Sequence, residues 1–586
     1  DGPGLQSCPA DPADQDPMTS PDRVITGEFS SDMQGSYVLL PFDVSAGTTA
    51  VRVRYCYDQP ENIDSLPAQP PGVPLPQHVL DLGLYDARSG PGDLWDSDEF
   101  RGWGGSSHPD VTVSPNGFSS EADYVAHPKT HVYGKTTRGF EPGRIPAGEW
   151  AVELGAGAIA SQTEGDADGH VAWRVEIDLI KDPGYANSPY RPARYDTTPA
   201  NRNPGWYAGD LHVHSEHSNL GAAPMSETFN YAFNPIAPGP NGGAGLDFIT
   251  LTDYVTDSAW GEIGRYQGAH PGKLIIPSSE VITYHGHTNN QGSGRWADYR
   301  TGPIYERADD GTLTEVRPPT PPSRIFDTVH LGGGWTQINH PTIFPSQVPG
   351  FAFFCRGCPW DYTDQETDYS KVDAIEVATG PAGLRTAPYP GPNPFTPLAI
   401  QFYEHALGTG AHIAAVGSSD SHTAGQAAGD VSDVTGAPIG MATTKVMARE
   451  LSERGIIDGV RAGHTYVKVW GNDGPDVRFC AGSLGADGQC SLRPDPAEKV
   501  MGDTVKAAVT TLTARVTGAG PGATRPGAYL LVVFKDGVPT LQVPITSDDF
   551  AFRFPSFGTG RYRLQVMRIV TGVASVEDVS SPIYLG

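Results

Sequence analysis

The apolar residues of this chain come in short runs, and the company those runs keep changes twice along its 586 residues. No run reaches the ~20 residues that a membrane-spanning helix needs. Through residues 1–200 the runs are β-like, as at 36–40, 50–55 and 171–177, and they lie among many Gly and Pro. The last two alternate apolar with polar residues, the pattern of a half-buried strand. This texture predicts an N-terminal β-sandwich with long loops, the Pro-rich stretch 66–76 among them. A linker dense in Pro, Asn and Arg follows at 181–204.

From 201 to 473 the texture changes. Short apolar runs at 246–251, 274–277, 334–338, 372–377 and 412–416 alternate with helix candidates at 322–331, 398–407 and 448–462. Strand–helix alternation predicts a parallel sheet, closed or wound, with helices outside. In such barrels the chemistry sits at the C-terminal ends of the strands. From 474 to 586 the chain returns to β texture, with strand candidates at 510–516, 528–534, 550–554 and 562–568. Lys535-Asp536-Gly537 is a hairpin turn signal. A C-terminal Ig-like β-sandwich is the expectation.

Charge narrows the function classes. The formal net charge is -28, from 68 Asp+Glu against 40 Lys+Arg. With no basic run, the chain lacks what a nucleic-acid backbone binder or a polybasic membrane binder requires. An anionic substrate remains open to it if metal ions set the local field. The six cysteines are Cys8, Cys56, Cys355, Cys358, Cys480 and Cys490. An even count in loop-like contexts suits disulfides in an oxidising compartment. Pairing by nearness joins Cys355 to Cys358 and Cys480 to Cys490, leaving Cys8 with Cys56. For Cys355-Arg356-Gly357-Cys358, half a zinc site or a redox motif is the alternative, and no second C-x-x-C completes a zinc knuckle. The chain opens at Asp1 in a Pro/Asp-rich segment that reads as a mature or trimmed N-terminus. A secreted or extracytoplasmic protein is expected.

The chemistry is concentrated in the middle region. In Gly209-Asp210-Leu211-His212-Val213-His214-Ser215, two histidines one residue apart share a strand face and can point at one metal ion. Downstream come Thr252-Asp253-Tyr254, Glu280, His287, Asn339-His340-Pro341 and Ser419-Asp420-Ser421-His422. Each falls at or just after an apolar run. Imidazole and carboxylate ligands without thiolate suit Zn, Mn or Fe. A cluster fed by several strand ends can hold two ions about 3.5–4 Å apart, bridged by a carboxylate.

The order and spacing of these pieces resemble the PHP (polymerase and histidinol phosphatase) metallohydrolase superfamily, and within it the carbaryl-hydrolase-like (CehA/McbA) secreted branch. The resemblance covers roughly residues 205–470. It implies a distorted (β/α)7 barrel, with His212, His214 and Asp420 on a first metal, Glu280 bridging, and His287 and His340 on a second. Two departures bear on a third metal. Tyr254 stands where the family's imidazole is usual, and Asn219 where a carboxylate is common. Two divalent ions are therefore expected, with a third doubtful. His422 is then free to act as general acid or to bind substrate, and Tyr254 to contact substrate. With Asp253 and the loop residue Arg295, a candidate phosphate clamp, they are the candidate catalytic residues. Glu376 is expected to orient a ligand histidine. Arg300, also in that loop, is a second candidate clamp, and His285 a candidate neighbour of His287.

The function these residues point to is a secreted metal-dependent phosphoesterase acting on mono- or diesters. The alternative is a metal-dependent amide, carbamate or carboxylic ester hydrolase. A non-catalytic extracellular glycan-binding protein is a third reading. The expected partners are a small-molecule or phosphoester substrate, with possible glycan contact through the β-sandwiches.

Overall fold

The computed structural model describes residues 5–14, 16–68, 74–127, 131–237, 241–348, 351–384, 391–425, 437–482, 488–507 and 509–586. Residues 69–73 of the Pro-rich loop lie outside the described residues. The protein is multidomain and mostly β, with few helices.

The N-terminal region forms two facing sheets. Strands Arg23–Ser30, His170–Ile180, Ala50–Tyr57 and Asp110–Val113 make one. The other contains Tyr37–Val44, Gly148–Ala158, Val79–Tyr85 and Phe100–Gly105. Alternation puts Val51, Val53, Val175 and Ile177 of the first sheet in one core with Leu40, Leu82, Leu84 and Val152 of the second. The second sheet also takes in a hairpin from much later in the chain, Ile304–Arg307 with Leu313–Arg317, whose Ile304 pairs in parallel with Tyr37. Sequence texture placed that hairpin with the middle region only.

Seven strands of the middle region carry the candidate ligands: β1 (Gly205–Val213), β2 (Phe248–Leu251), β3 (Leu274–Thr283), β4 (Gly286–Gln291), β5 (Trp335–Ile338), β6 (Ala374–Thr379) and β7 (Ala414–Ser418). They are neighbours in chain order. Just beyond β7 the chain meets β1 again. Asp420 N donates to His212 O at 2.9 Å, and His214 N to Ser421 O at 3.0 Å. The longer helices among the described residues are α1 (Met225–Phe233), α2 (Trp260–Gln267), α3 (Ser323–Leu331), α4 (Phe395–Gly408) and α5 (Glu453–Arg461). Ser452 caps α5, its hydroxyl accepting from Gly455 N at 3.0 Å.

The expected (β/α)7 alternation is not what forms. β3 turns back through Tyr284 and His285 into β4, which pairs antiparallel with it from Thr283↔Gly286 onward. A two-residue turn leaves no room for a crossover helix, so the strand direction reverses. Between β5 and β6 the described residues hold only the four-residue helix Phe351–Phe354 and a short 3-10 turn.

The other edge of β1 pairs antiparallel with Thr443–Ala448, and the sheet runs on through Thr465–Lys468 into the C-terminal strands Val573–Ser580, Gly560–Val570, Ala528–Lys535 and Val538–Ile545. The C-terminal sandwich is therefore not free-standing, because one of its sheets continues the central one. Its second sheet closes over Phe479, Leu531, Tyr562 and Val566. The expected hairpin turn is present, with φ of 51° at Asp536 and 81° at Gly537, as a two-residue I′ turn demands.

The inner face of the central strands is graded. The N-terminal ends contribute Phe248, Leu274, Trp335, Ala374 and Ala414, which pack with Ile456, Ile457 and Val460 of α5. Toward the C-terminal ends the buried residues become Glu280, Gln337, Asn339, Glu376 and Ser418. An apolar plug thus lies beneath a polar, buried cluster.

Candidate metal centre

The cluster begins with an irregularity in β1. Leu211 belongs to the apolar plug, yet Val213 packs outward with Ala208, Ile249 and Leu251. Strict alternation would put Leu211 and Val213 on one face. The register against β2 shifts between Ile249, opposite Asp210, and Leu251, opposite Val213, so β1 holds one extra residue there. A bulge of this kind re-aims side chains. Here it turns both His212 and His214 inward.

The two imidazoles meet two carboxylates. His212 Nε2 lies 3.2 Å from Glu280 Oε2 and 3.3 Å from Asp420 Oδ1. His214 Nε2 lies 3.0 Å from Asp420 Oδ1 and 3.5 Å from Glu280 Oε2. The other oxygen of Glu280, Oε1, lies 3.2 Å from His287 Nδ1 and 3.2 Å from His340 Nε2. All six expected ligands therefore come together as two groups that share Glu280, one carboxylate oxygen to each. His340 and Asp420 hold left-handed backbone, φ 27° and 55°, at the turns that aim them.

The far side of each ring is anchored, which fixes its tautomer. His212 Nδ1 is 2.9 Å from Glu376 Oε1. Glu376 also accepts from His340 N at 2.7 Å and from Thr379 Oγ1 at 2.7 Å. This is the orienting position expected for it. His214 Nδ1 is 2.8 Å from Ser218 Oγ, whose hydroxyl donates to Asp253 at 2.7 Å. His287 Nε2 and His340 Nδ1 each sit 2.9 Å from a main-chain oxygen, of Arg356 and Cys358.

Electrostatics identify what the cluster lacks. Burial pulls the His212 pKa down, but Asp420, Glu280 and Glu376 lift it well above its ordinary value. Burial likewise opposes ionisation of Glu280, yet the surrounding imidazoles hold its carboxyl well below the usual range. Asp420 is lowered in the same way, chiefly by His212. Despite this crowding, His212 Nε2 is buried and makes no hydrogen bond. A buried polar atom without a partner, aimed at two carboxylates, fits a divalent cation as the missing group.

Four expected catalytic residues fare differently. Tyr254 and His422 lie at the more exposed side, with the Tyr254 hydroxyl 2.8 Å from His422 Nε2 and the His422 ring stacked on His214 at 4.0 Å. Burial, and then His214, push the His422 pKa down to about 3. Asp253 does not reach the cluster. Its oxygens accept from Ser215 N, Ser215 Oγ and Ser218 Oγ, so it braces the turn after β1. Arg295 is exposed, and the hydrogen bonds shown for it are main-chain ones. A neighbouring loop residue, Arg300, is fully buried against Asp298 and Glu153 and is no clamp either. His285 packs edge-on against Tyr362, and His217 against Phe118, away from the ligands.

Sequence reasoning missed Ser218, Asn339, whose Nδ2 donates to Glu280 Oε1 at 3.1 Å, and the turn carbonyls of Arg356 and Cys358. Asn339 sits beside His340 in a quoted motif and could have been found. A main-chain carbonyl carries no side-chain signature.

The cysteines pair as Cys8–Cys56, Cys355–Cys358 and Cys480–Cys490. No helix among the described residues is long and apolar enough to cross a membrane.

No family model and no curated protein matches the chain. A solved structure similar to it is a two-domain protein from Bacteroides vulgatus containing a predicted PHP-like metal-dependent phosphoesterase. The two share 16% identity at a TM-score of 0.31, over 67% of this chain and 99% of that one.

Proposed function

We propose that this chain is a secreted metal-dependent hydrolase of the PHP type, built as three units over 1–200, 201–473 and 474–586, and that it cleaves phosphate esters. The carboxylate of Glu280, divided between two groups of imidazole ligands, is the observation that carries this reading. It favours two ions over one. His212, His214 and Asp420 would hold the first, His287 and His340 the second, and Zn, Mn or Fe suits the donor set. A distorted barrel, interrupted at β4, would be the scaffold, and the carbaryl-hydrolase-like branch the part of the superfamily it resembles. Three disulfides agree with an extracytoplasmic site.

With two ions held by these residues, the site would supply a hydroxide at neutral pH and charge stabilisation at the attacked centre. The chain's own residues do the rest. Glu376, Ser218 and the turn carbonyls hold the ring nitrogens toward the carboxylates. His422 accepts from the Tyr254 hydroxyl and so keeps the phenol proton in place at the exposed side. Tyr254 is engaged by His422, an arrangement that supports two ions rather than three.

A second reading, hydrolysis of an amide, carbamate or carboxylic ester, is favoured by one observation. Arg295 stays out of the cluster, while Trp103 packs edge-on against Tyr254 at 6.2 Å. Nitrophenyl phosphate mono- and diesters, assayed beside nitrophenyl acetate and carbamates on protein of measured metal content, separate the two. The phosphate esters should turn over faster. Faster turnover of acetate or carbamate sinks the phosphoesterase reading in favour of the second. A protein that takes up no ion sinks both.

A further inference from the structure

We propose that the turn closed by Cys355–Cys358 positions the second ligand group, so that affinity for a second ion depends on that disulfide. The inference rests on the two-ion reading above. His287 Nε2 lies 2.9 Å from Arg356 O, and His340 Nδ1 lies 2.9 Å from Cys358 O. A carbonyl only accepts, so both of those ring nitrogens carry the proton. In the neutral ring the nitrogen left to bind an ion is then His287 Nδ1 or His340 Nε2, the two atoms 3.2 Å from Glu280 Oε1. The first group is anchored differently, by the side chains of Glu376 and Ser218, which belong to separate strands and turns. Both histidines of the second group depend on one four-residue turn.

The turn is wedged in place. Gly357 adopts φ 73°, and a Cβ there would lie 2.1 Å from Thr283 O at the end of β3. Cys358 is buried and packs with Ile343 and Phe344, while Cys355 is only half-buried and open to a small reductant. A dithiol would break the S–S bond by giving two electrons and two protons. Two cysteine thiols form, and the dithiol closes into its own disulfide. The freed turn would no longer hold both carbonyls on the rings. There is a rival use of the same atoms. His287, Cys355 and Cys358 offer ligand atoms within 4.8 Å of one another, which as thiolates could make a separate metal site.

The experiment measures Mn²⁺ affinity and stoichiometry of the full chain by metal analysis and electron paramagnetic resonance, a readout independent of turnover. Losing an outer partner of a metal ligand costs about 10–100-fold in affinity. Cys355→Ser/Cys358→Ser should weaken the second ion by about that factor and leave the first unchanged. Gly357→Ala, which keeps the disulfide but displaces the turn, should do the same, and so should dithiol treatment of the wild type. Cys8→Ser/Cys56→Ser, in the N-terminal region, should change neither ion. Wild-type affinity for both ions in the Cys355→Ser/Cys358→Ser and Gly357→Ala proteins overturns the inference. A thiolate-to-metal charge-transfer band in the untreated wild type loaded with Co²⁺ overturns it in favour of the rival. A wild type that binds a single ion defeats the two-ion reading itself, a result distinct from either.

Discussion

Two of the buried charge groups in this molecule are neutralised in different ways. Where the loop after β4 meets the N-terminal sandwich, Arg300 spans Asp298 and Glu153, and Arg317 bonds Asp298 from the neighbouring hairpin. Arg300 also donates to Trp95 O at 2.8 Å and lies 4.7 Å over the Tyr85 ring. Two guanidinium groups face two carboxylates. Arg does not release its proton in proteins, so the cations of this group come from the chain itself. Around Glu280 the carboxylates are Glu280, Glu376 and Asp420, and their neighbours are imidazoles, which carry charge only when protonated. The first group closes on itself and ties two parts of the chain together. The second, whose acids are balanced only by protonated imidazoles, is the candidate cation site. Buried acid beside histidine therefore reads as a binding site here, and buried acid beside arginine as a fastener.

Breaking each group should have opposite consequences. Glu280→Ala should lower metal content from about two ions per chain. It should also reduce hydrolysis by more than the roughly 100-fold that an outer-shell loss costs. Elemental analysis and turnover of a nitrophenyl ester check it, and full activity in that variant would refute the bridging role. Arg300→Met leaves Glu153 buried without its cation and Asp298 with Arg317 alone, and should destabilise the fold by about 3–5 kcal/mol. Denaturant unfolding measures this, and the metal content of the protein that remains folded should not change. A loss of metal there would erase the distinction between the groups.

A smaller effect comes from a buried ring with no carboxylate partner. His108 is 1% exposed, and burial, only partly offset by its bond to Gly104 O, holds its pKa at about 4. Between about pH 6.5 and 4 the unfolded chain binds a proton at this site that the folded chain refuses. Stability should therefore be complete above pH 6.5 and fall as the pH drops through that window, by about 3 kcal/mol for this residue. His108→Gln should remove that part of the loss, as thermal or denaturant unfolding at pH 7 and pH 4 would show. An unchanged difference between the two pH values would show that His108 does not set the slope.

Much of the cluster was legible because its chemistry is carried by residue type and local spacing. The His212-x-His214 pair, Glu280, His287, His340 and Asp420 each follow an apolar run, and a strand end is where a parallel sheet exposes side chains. Asp253 and Arg295 show the limit of that reasoning. Each lies beside the right strand, but the Ser215–Ser218 turn captures the Asp253 carboxylate, and the Arg295 loop leads outward. The three helices read from the pattern are present, whereas the (β/α)7 barrel implied by the resemblance is not what forms, because nothing in the apolar pattern distinguishes a crossover from the tight return at Tyr284-His285.

Local pattern by itself determined the kinds of ligand, their order and the grading of each central strand from apolar to polar, since these depend on neighbours in sequence. Only the tertiary structure decided that one extra residue in β1 turns His212 inward, that the hairpin at 304–317 completes an N-terminal sheet, that the C-terminal strands continue the central one, and that the turn at Cys355–Cys358 holds two rings by its carbonyls. The first three are main-chain pairings between segments far apart in the chain, and the last sets main-chain carbonyls on distant side chains. Backbone groups are the same in every residue, so which of them meet is settled by how the whole chain closes.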